Sequence, residues 1–510
     1  MAHSTLSPRE GPPLMRRPSA DAVAGNGLCP APTQSRQRLA EVAAGAKGQS
    51  AGRQGPDQVE RLAYHALRGE VWDKALVYCR QAGEKALARS AHREAVGYFE
   101  QALSALTHLP EQRDTREQAV DLRLALRSGL RPLGYLGRIL TALREAETLA
   151  ETLDDARRLG QISVFLTNYF YVMGAPDQAI AAAQRALTLA TASGEVVLPA
   201  LANFYLGNTY YAQGDYHRAI TCLRQTVASF DGARRYERFG QVTLPAVHAR
   251  AWLAACHAEL GMFAEGSTFG TEGLQIAESV AHPSSRMWAY WGIGLLCLRQ
   301  GDLSRALPQL ERAVGICHEV DLPVYFPRMA SALGAAYTLA GRVADAVPLL
   351  SQAMAQATAM EEVVVKAFYY LPLGEARLLA GHLEEAHVLA QRTLGFAREH
   401  QERGHQAYAL RLLGETAARR DPPQVEHAEA HYCEALTLAE ELGMRPLVAH
   451  CHHGLGTLYS QVERLEEARA ALSMAIHMYR TLEMSLWLPQ AEATLAQIGG
   501  SRSGRAKAIS

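Results

Sequence analysis

Apolar residues recur along most of the chain at spacings of three and four, with polar residues between them. This period is that of a helix with one buried face. Short turns of the form Gly-x-apolar interrupt the periodic stretches, for example at Gly301–Leu303 (GDL) and Gly381–Leu383 (GHL). Glycine ends a helix readily because it adopts positive φ at no steric cost. The pattern therefore predicts helix, tight turn and helix, repeated from about residue 161 to 495.

Small residues return within this pattern at a period near 40. One of them follows the turn in each of eight copies, in steps of 40, 47, 40, 40, 40, 42 and 40 residues. These positions are Ala179, Ala219, Gly266, Ala306, Ala346, Ala386, Ala428 and Ala468. Twelve residues earlier most copies carry a second small residue, such as Gly294 or Gly334. Because a larger side chain would hold two crossing helices apart, these positions predict the contacts of stacked helical hairpins.

The hairpins resemble the tetratricopeptide repeat. Its Leu-Gly-x-x-Tyr element stands at Leu206–Tyr210, Leu333–Tyr337 and Leu455–Tyr459. Its alanine with a large residue four positions later is found at Ala219 and Leu223. The resemblance implies an all-α fold, a right-handed α-solenoid or superhelix of helical hairpins. The period near 40 exceeds the usual ~34 residues, so each helix should be nearly one turn longer.

Composition divides the chain into four parts. Residues 1–56 are rich in Gly, Pro, Ser, Ala and Gln and poor in large apolar residues, which predicts a disordered N-terminal arm. Residues 57–160 should form N-terminal helical hairpins, with two short ones around Ala75 and Ala95 and an irregular helical stretch from 116 to 159. The repeat array is expected over residues 161–498. The basic segment 499–510 (GSRSGRAKAIS at its end) predicts a disordered tail.

Several segments carry a narrower resemblance. They include RLAYHALRGEVWDKALVYCRQAGEKALARSAHREAVGYFEQAL, RGHQAYALRLLGETAARRDPP and AEELGMRPLVAHCHHGLGTLY. Over about residues 57–499 they resemble the C-terminal repeat region of bacterial class III adenylate/guanylate cyclase proteins. In that family the repeats follow a cyclase domain and a signal-transduction ATPase domain. The sequence has no GxxxxGK[ST] phosphate-binding loop and no pair of metal-binding aspartates on a β-hairpin, so the resemblance implies the repeat array alone.

Charge and composition exclude several classes of partner. The 51 basic and 52 acidic residues nearly cancel, which gives no broad surface for nucleic acid or an acidic membrane. No run approaches the roughly 18 apolar residues of a membrane helix, and the first residues lack the apolar core of a signal peptide. The eight cysteines include no C-x-x-C pair, which argues against a disulfide framework. A cytoplasmic protein is expected.

Catalytic and metal-binding motifs are missing from the sequence. There is no HExxH, no GxSxG and no glycine-rich dinucleotide fingerprint, so neither an enzyme nor a cofactor is predicted. His427 and His431 share a helix face and could clasp zinc, whereas His450 and His453 lie on the first helix of the next copy and nothing in the sequence brings the two pairs together. Ordinary packing of these histidines is the favoured interpretation, and no metal is predicted.

The informative surface is the concave one. In tetratricopeptide arrays the first helix of each hairpin lines a groove, and by resemblance the lining falls six and three residues before the conserved glycine and one and four after it. Aromatic, amide and arginine side chains at such positions are typical anchors of peptide interfaces. The predicted partner-binding residues are Asn168, Tyr171, Phe204, Asn208, Tyr211, His248, Trp288, Trp291, Arg328, Phe368, Glu375, Tyr408, Arg411, Glu415, His450 and His453. Alternatively, Trp288, Trp291 and Phe368 simply fill space between long helices.

The sequence therefore predicts a non-enzymatic protein-protein interaction module of bacterial signalling. It would hold a protein or peptide segment in the concave groove, and a cyclase/ATPase signalling protein is one candidate partner. Two alternatives stay open at this stage. One is a small-molecule-sensing repeat domain, and the other is a truncated fragment of a cyclase/ATPase signalling protein.

Overall fold

The computed structural model describes residues 33–36, 38, 58–193, 195–320, 322–360 and 366–509. Over these residues the chain is all-α, with two short 3₁₀ helices and no β-strand. Within the N-terminal arm predicted as disordered, residues 33–36 and 38 are helical, and Arg36 Nε donates to the carbonyl of Gly69 over 2.6 Å. The rest of residues 1–56 lies outside the described part of the chain.

Twenty-two α-helices of at least eleven residues follow one another in the described chain from residue 58 onward. In chain order, α1 to α11 are Gln58–Arg68, Trp72–Ala88, His92–Leu106, Arg113–Leu130, Leu136–Thr152, Ala156–Val172, Pro176–Ser193, Val197–Gln213, Tyr216–Ser229, Pro245–Leu260 and Phe263–Val280. Helices α12 to α22 are Pro283–Gln300, Leu303–Glu319, Phe326–Leu339, Val343–Ala359, Lys366–Leu379, Leu383–Glu399, Arg403–Ala418, Val425–Glu441, Arg445–Gln461, Leu465–Thr481 and Leu488–Ile509.

Antiparallel neighbours pair into hairpins, and the eight pairs from α6/α7 to α20/α21 coincide with the eight sequence copies. The all-α solenoid is thus confirmed, while its right-handed sense stays a prediction. Two of the described hairpins begin their second helix with an aspartate whose side chain accepts the backbone N–H three residues on: Asp215 accepts from Arg218, and Asp302 accepts from Arg305. This cap satisfies a donor that the first turn of a helix leaves without a partner.

In the N-terminal part, Ala75 and Ala82 lie on one face of α2, and Ala95 and Ala102 lie on one face of α3. Helix α2 packs against both α1 and α3. The stretch expected to be irregular contains two regular helices, α4 and α5, joined by the 3₁₀ helix Arg131–Leu133. The division of the chain at residue 160 stays a prediction.

The recurring small residues are buried where the two helices of a hairpin cross. Each repeat alanine from Ala179 to Ala468 is fully buried. A Cβ added to Gly294 would lie 2.6 Å from Leu310 Cγ, and one added to Gly334 would lie 2.5 Å from Leu350 Cδ2. The leucine four residues after the alanine therefore fills the space that the glycine leaves. This contact explains why the glycine and the alanine twelve residues later recur together in the repeat.

The solenoid folds back on itself, so that turns of the middle hairpins touch the C-terminal hairpins. The α10/α11 turn at Gly261 packs against Leu482, and the α12/α13 turn at Gly301 packs against Trp487. A Cβ at these two glycines would lie 2.9 Å and 2.7 Å from those side chains. Both glycines have positive φ, so close approach and backbone conformation each require the missing side chain. Part of the concave face is consequently covered by the chain itself.

The last helix, α22, extends to Ile509, whereas the sequence predicted a disordered tail from residue 499. The Arg, Ala and Lys residues of this segment have high helix propensity. The sequence-based prediction gave more weight to the two glycines at 499 and 500, which disfavour a helix. No helix of the described residues is long and apolar enough to cross a membrane.

Candidate functional site

A cavity of about 70 Å³ lies on the inner face of the solenoid, where first helices of successive hairpins converge. Helices α4, α6, α8, α10, α12, α14 and α16 contribute side chains to it. Its principal lining residues are Arg127, Arg131, Asn168, Tyr171, Phe204, Tyr205, Asn208, Gln241, His248, Trp252, Trp288, Tyr325, Arg328 and Tyr369. The cavity thus combines cationic, amide and aromatic groups.

Seven of the sixteen residues predicted to line a groove lie in this cavity. They are Asn168, Tyr171, Phe204, Asn208, His248, Trp288 and Arg328. The spacing around the conserved glycine selects them because residues three and four apart share a helix face, and each first helix turns the same face inward. That they bind a partner stays a prediction.

Arg328 lies at the centre of an aromatic cluster. Its guanidinium carbon is 5.1 Å from the ring of Trp252, 5.9 Å from Trp288 and 5.8 Å from Trp291. The ring of Phe368 lies 5.4 Å from the same atom. These distances are within the range of cation–π attraction. Trp291 and Phe368 therefore support the cavity through Arg328, even though they do not form its wall.

His248 is held neutral between aromatic rings. Its ring centroid is 4.1 Å from that of Trp288 and 4.7 Å from that of Phe204. Burial lowers the pKa of His248 well below its usual 6.5, and the positive charges of Arg328 and Arg131 lower it further. The imidazole is therefore uncharged at neutral pH, and the positive charge of the cavity comes from the arginines.

Arg127 is a cavity residue that sequence reasoning missed. It lies on α4, before the repeat array, so the rule that counts positions from the repeat glycine does not apply to it. Only 2% of its surface is exposed, and its Nη2 donates to Asn168 Oδ1 over 2.7 Å. Its guanidinium carbon lies 4.2 Å from the ring centroid of Phe165. Arg127 is thus fixed in place by neutral groups.

The wall that closes one side of the cavity is the segment between α9 and α10. It contains the 3₁₀ helix Gly232–Tyr236 and brings Gln241, whose Oε1 accepts from Tyr205 Oη over 2.6 Å. Ser128 Oγ donates to the carbonyl of Gly240 over 3.2 Å. In the sequence, this wall corresponds to the single spacing of 47 residues between successive repeat positions, where the other spacings are 40 or 42. The additional residues form part of the site.

Other predicted groove residues hold the folded-back ends of the solenoid together. Tyr408 Oη donates to Glu259 Oε2 over 2.7 Å, and Arg299 Nε donates to Glu259 Oε1 over 3.0 Å. Arg299 lies over the Tyr408 ring at 4.6 Å. Helix α18 is thereby attached to α10 and α12, which are more than a hundred residues earlier in the chain.

Arg411 forms ion pairs with Glu375 and, over 2.9 Å, with Glu415. Tyr211 packs its ring against Trp252 at 4.9 Å between centroids. These four predicted residues therefore have partners within the chain. Removing Arg411 from these partly buried pairs would leave two neighbouring carboxylates without their counter-charge.

Two of the four histidines considered as zinc ligands pack around one tyrosine. His450 Nδ1 lies 2.9 Å from Tyr479 Oη, and His453 Nδ1 lies 3.4 Å from the same oxygen. The His450 ring is 4.6 Å from that of Trp487. Among the described residues no group of three His, Cys, Asp or Glu side chains could hold a metal ion. The partner-binding role predicted for the two histidines remains a prediction.

Comparisons with known proteins support the class of fold. A family model described as tetratricopeptide repeat matches residues 205–229, which span the second half of α8 and all of α9. A comparison with curated protein sequences gives no match. The chain is thus a helical-repeat protein with tetratricopeptide-type hairpins.

Solved structures show the same architecture at low sequence identity. A Rap protein complexed with Competence and Sporulation Factor has a TM-score of 0.54 at 16% identity, over 72% of this chain and 98% of that one. The Rap conjugation gene regulator of plasmid pLS20, in complex with the Phr* peptide, has a TM-score of 0.50 at 14% identity, over 65% and 97%. These likenesses show the fold alone. The narrower likeness to cyclase-associated repeat arrays stays a prediction.

Proposed function

We propose that this chain is a non-enzymatic interaction module that binds a short segment of a partner protein or a peptide on its inner face. The observation that carries the proposal is the cavity, because first helices from several hairpins converge there with seven of the residues predicted from the repeat spacing. Aromatic and arginine side chains are the usual anchors of peptide interfaces. The two Rap proteins of similar fold are each described in complex with a factor or peptide, which supports the same kind of ligand here.

Asn208 gives the proposed site a group that can bind a peptide backbone. Asn208 is 3% exposed, lines the cavity, and its Oδ1 has no hydrogen-bond partner among the described residues. A side-chain amide can accept from a peptide N–H and donate to a peptide carbonyl. An extended segment bound along the inner face would therefore satisfy Asn208 on entry.

The test is peptide selection on the intact chain followed by titration calorimetry. A random peptide library would be displayed against the immobilised protein, and the enriched peptides would be measured with wild type and with Asn208→Ala. The matched control is Asn203→Ala, because Asn203 lies on the same helix α8 and does not line the cavity. We expect Asn208→Ala to weaken binding about tenfold while Asn203→Ala has no effect. Equal affinities for both variants would contradict the proposed site.

A small-molecule sensor is the second candidate, and the closure of the solenoid favours it. Tyr408 and Arg299 meet at Glu259 across the concave face, and the remaining cavity of about 70 Å³ is small. A ligand of this size would act between hairpins and alter their relative angle. Thermal stabilisation by a single metabolite in the absence of any peptide would select this function over peptide binding.

For the setting we propose bacterial signalling in the cytoplasm, with a cyclase/ATPase signalling protein as one candidate source of the bound segment. The resemblance of residues 57–499 to cyclase-associated repeat arrays supports this part of the proposal. Titration of selected cyclase segments against the chain, with the Asn203→Ala and Asn208→Ala pair as above, would test it.

A further inference from the structure

A second cavity, of about 520 Å³, lies among the N-terminal helices of the described chain. Helices α2, α3, α4 and α6 contribute side chains to it, together with residues 238 and 240–242 of the segment between α9 and α10. Gln241 and Val242 line both this cavity and the one described above, so this segment lies between the two. The volume is within the range of about 300–1,000 Å³ that small-molecule sites occupy. The second cavity is therefore a separate candidate site.

Both carboxylates that line the second cavity already have a counter-charge. Glu84 pairs with Arg80 over 3.0 Å. Asp121 accepts from Arg158 Nε and from Arg158 Nη2, each over 2.9 Å. Because each carboxylate is engaged by its own arginine, neither offsets the charge of another cation in the lining.

Two further arginines line the second cavity without such a pair. The side chains of Arg157 and Arg238 form no hydrogen bond or ion pair with the described residues. Arg157 is exposed, and the carboxylate on which its charge acts, Asp155, pairs with Arg158 over 2.5 Å. Arg238 is half-buried, and burial lowers its pKa. A cation in such a place favours an anion that comes from outside the chain.

Arg238 belongs to a loop of defined conformation. The next two residues, Phe239 and Gly240, have φ values of 49° and 73°, so both are left-handed. That conformation is unfavourable for an aromatic residue, and strain of this kind is concentrated at functional sites. Stacking of Phe239 on Phe230, at 4.9 Å between ring centroids, and the hydrogen bond from Ser128 Oγ to the Gly240 carbonyl maintain it. The loop therefore holds Arg238 in place at the second cavity.

The two arginines indicate the charge of the ligand. A phosphate monoester carries about −1.5 to −2 charges near neutral pH and three acceptor oxygens. Two guanidinium groups from different elements match that charge, whereas a carboxylate brings a single negative charge. The planar donors of a guanidinium also bind phosphate oxygens in pairs. The charges of the lining thus favour a phosphate group.

The rest of the lining indicates a polar body. Ser90 and Gln161 add a hydroxyl and an amide, and Glu84 and Asp121 retain lone pairs that can accept from hydroxyl groups. An apolar body would leave these groups without hydrogen bonds. From the two arginines, the strained loop and this polar lining, we infer that the second cavity binds a phosphate monoester carried on a small polyhydroxylated molecule such as a sugar. The inference goes beyond the proposed function, because it concerns a different cavity and a different ligand.

Calorimetry on the full chain tests this chemistry with matched probes. The sugar phosphates are glucose 6-phosphate and ribose 5-phosphate, and glucose and ribose are the same bodies without the phosphate. Glucuronate carries a carboxylate on a sugar ring, and inorganic phosphate lacks the body. N-acetyl-Ala-phosphoserine-Ala-amide presents a phosphate on a peptide. We expect at least one sugar phosphate to bind at least about tenfold more tightly than each of these other probes, because it alone matches both the arginines and the polar lining.

Variants assign the binding to the second cavity. Arg238→Met should weaken the sugar phosphate at least about tenfold, and Arg157→Met should weaken it as well. Arg234→Met is the matched control, because Arg234 lies in the same segment, is exposed and does not line the second cavity. We expect this control to bind like wild type. Circular dichroism and melting of each variant separate loss of binding from loss of fold.

Four outcomes would overturn the inference. They are equal binding of the sugar phosphates and their parent sugars, binding of glucuronate, inorganic phosphate or the phosphopeptide as tight as that of the sugar phosphates, an equal loss in Arg234→Met and Arg238→Met, and an absence of binding by every probe. The proposed function fails separately, through the peptide selection with Asn203→Ala and Asn208→Ala, because that test concerns the other cavity.

Discussion

The packing of the repeat glycines leads to a quantitative prediction that compares two Gly→Ala substitutions. Both Gly334 in α14 and Gly315 in α13 lie inside helices, so alanine gains about 1 kcal/mol of helix propensity at either position. A Cβ at Gly315 meets nothing within 4 Å, whereas a Cβ at Gly334 would lie 2.5 Å from Leu350 Cδ2. Ordinary contacts are about 3.5–4.0 Å, so Leu350 must move by about 1 Å within a filled interior. Overpacking of this kind costs about 1–3 kcal/mol.

The difference in unfolding free energy between the two variants should therefore be about 1–3 kcal/mol, with Gly315→Ala the more stable. Urea unfolding followed by circular dichroism measures it, and hydrogen exchange locates the loss in α14 and α15. Leu350→Ala on the Gly334→Ala background serves as a further control, because truncating the leucine removes the overlap. The two substitutions should then cost less together than the sum of their separate effects. If Gly334→Ala stabilises the protein as much as Gly315→Ala does, the account of the small residues is incorrect.

Three further predictions follow from hydrogen bonds and buried charges. Tyr408→Phe leaves Glu259 Oε2 without its donor while Arg299 still donates to Oε1, so the substitution should cost about 1.5–3 kcal/mol and raise hydrogen exchange in α10 and α18. Unchanged exchange would contradict the closure of the solenoid. The folded chain holds His248 neutral, whereas the unfolded chain titrates it near 6.5. The free energy of unfolding should therefore fall as the pH drops below 6.5, by up to about 1.4 kcal/mol per pH unit from this group. In urea titrations at several pH values, His248→Phe should reduce that dependence on pH. For Asp155, burial would raise the pKa, but hydrogen bonds and charge from Arg158 bring it below 3.8. The difference in unfolding free energy between wild type and Asp155→Asn should therefore be full above pH 3.8 and should disappear as the pH falls below that value. An advantage that is constant from neutral to acid pH would contradict that assignment.

The closure of the solenoid changes how its concave face can act. In an open superhelix all sixteen predicted groove residues would be accessible to a partner. Here Tyr408 is attached to Glu259, and Arg411 forms ion pairs with Glu375 and Glu415. Tyr408, Arg411, Glu375 and Glu415 therefore have partners within the chain, whereas Asn208 lines the cavity.

Local signals in the sequence determined the secondary structure and the hairpins. The apolar spacing of three and four defines helices, and a buried glycine twelve residues before a buried alanine defines where two of them cross, as at Gly334 and Ala346. Both signals act within about 40 residues, so they can be read without knowing the rest of the fold. The resemblance to tetratricopeptide arrays, applied at positions counted from the conserved small residue, selected Asn208 and His248 as residues of the inner face.

Only the tertiary structure decided which inner-face residues form a cavity and which hold the chain to itself. That outcome depends on the small rotation of each hairpin relative to the next, added over many hairpins. The sequence of a single repeat does not determine this total. Arg127 illustrates the limit, because it belongs to a hairpin outside the repeat pattern and reaches Asn168 across 41 positions in the chain. Glu259 and Tyr408 are 149 positions apart and meet because the solenoid returns on itself. Contacts of that range have no periodic signal in the sequence, since they arise from the path of the whole superhelix.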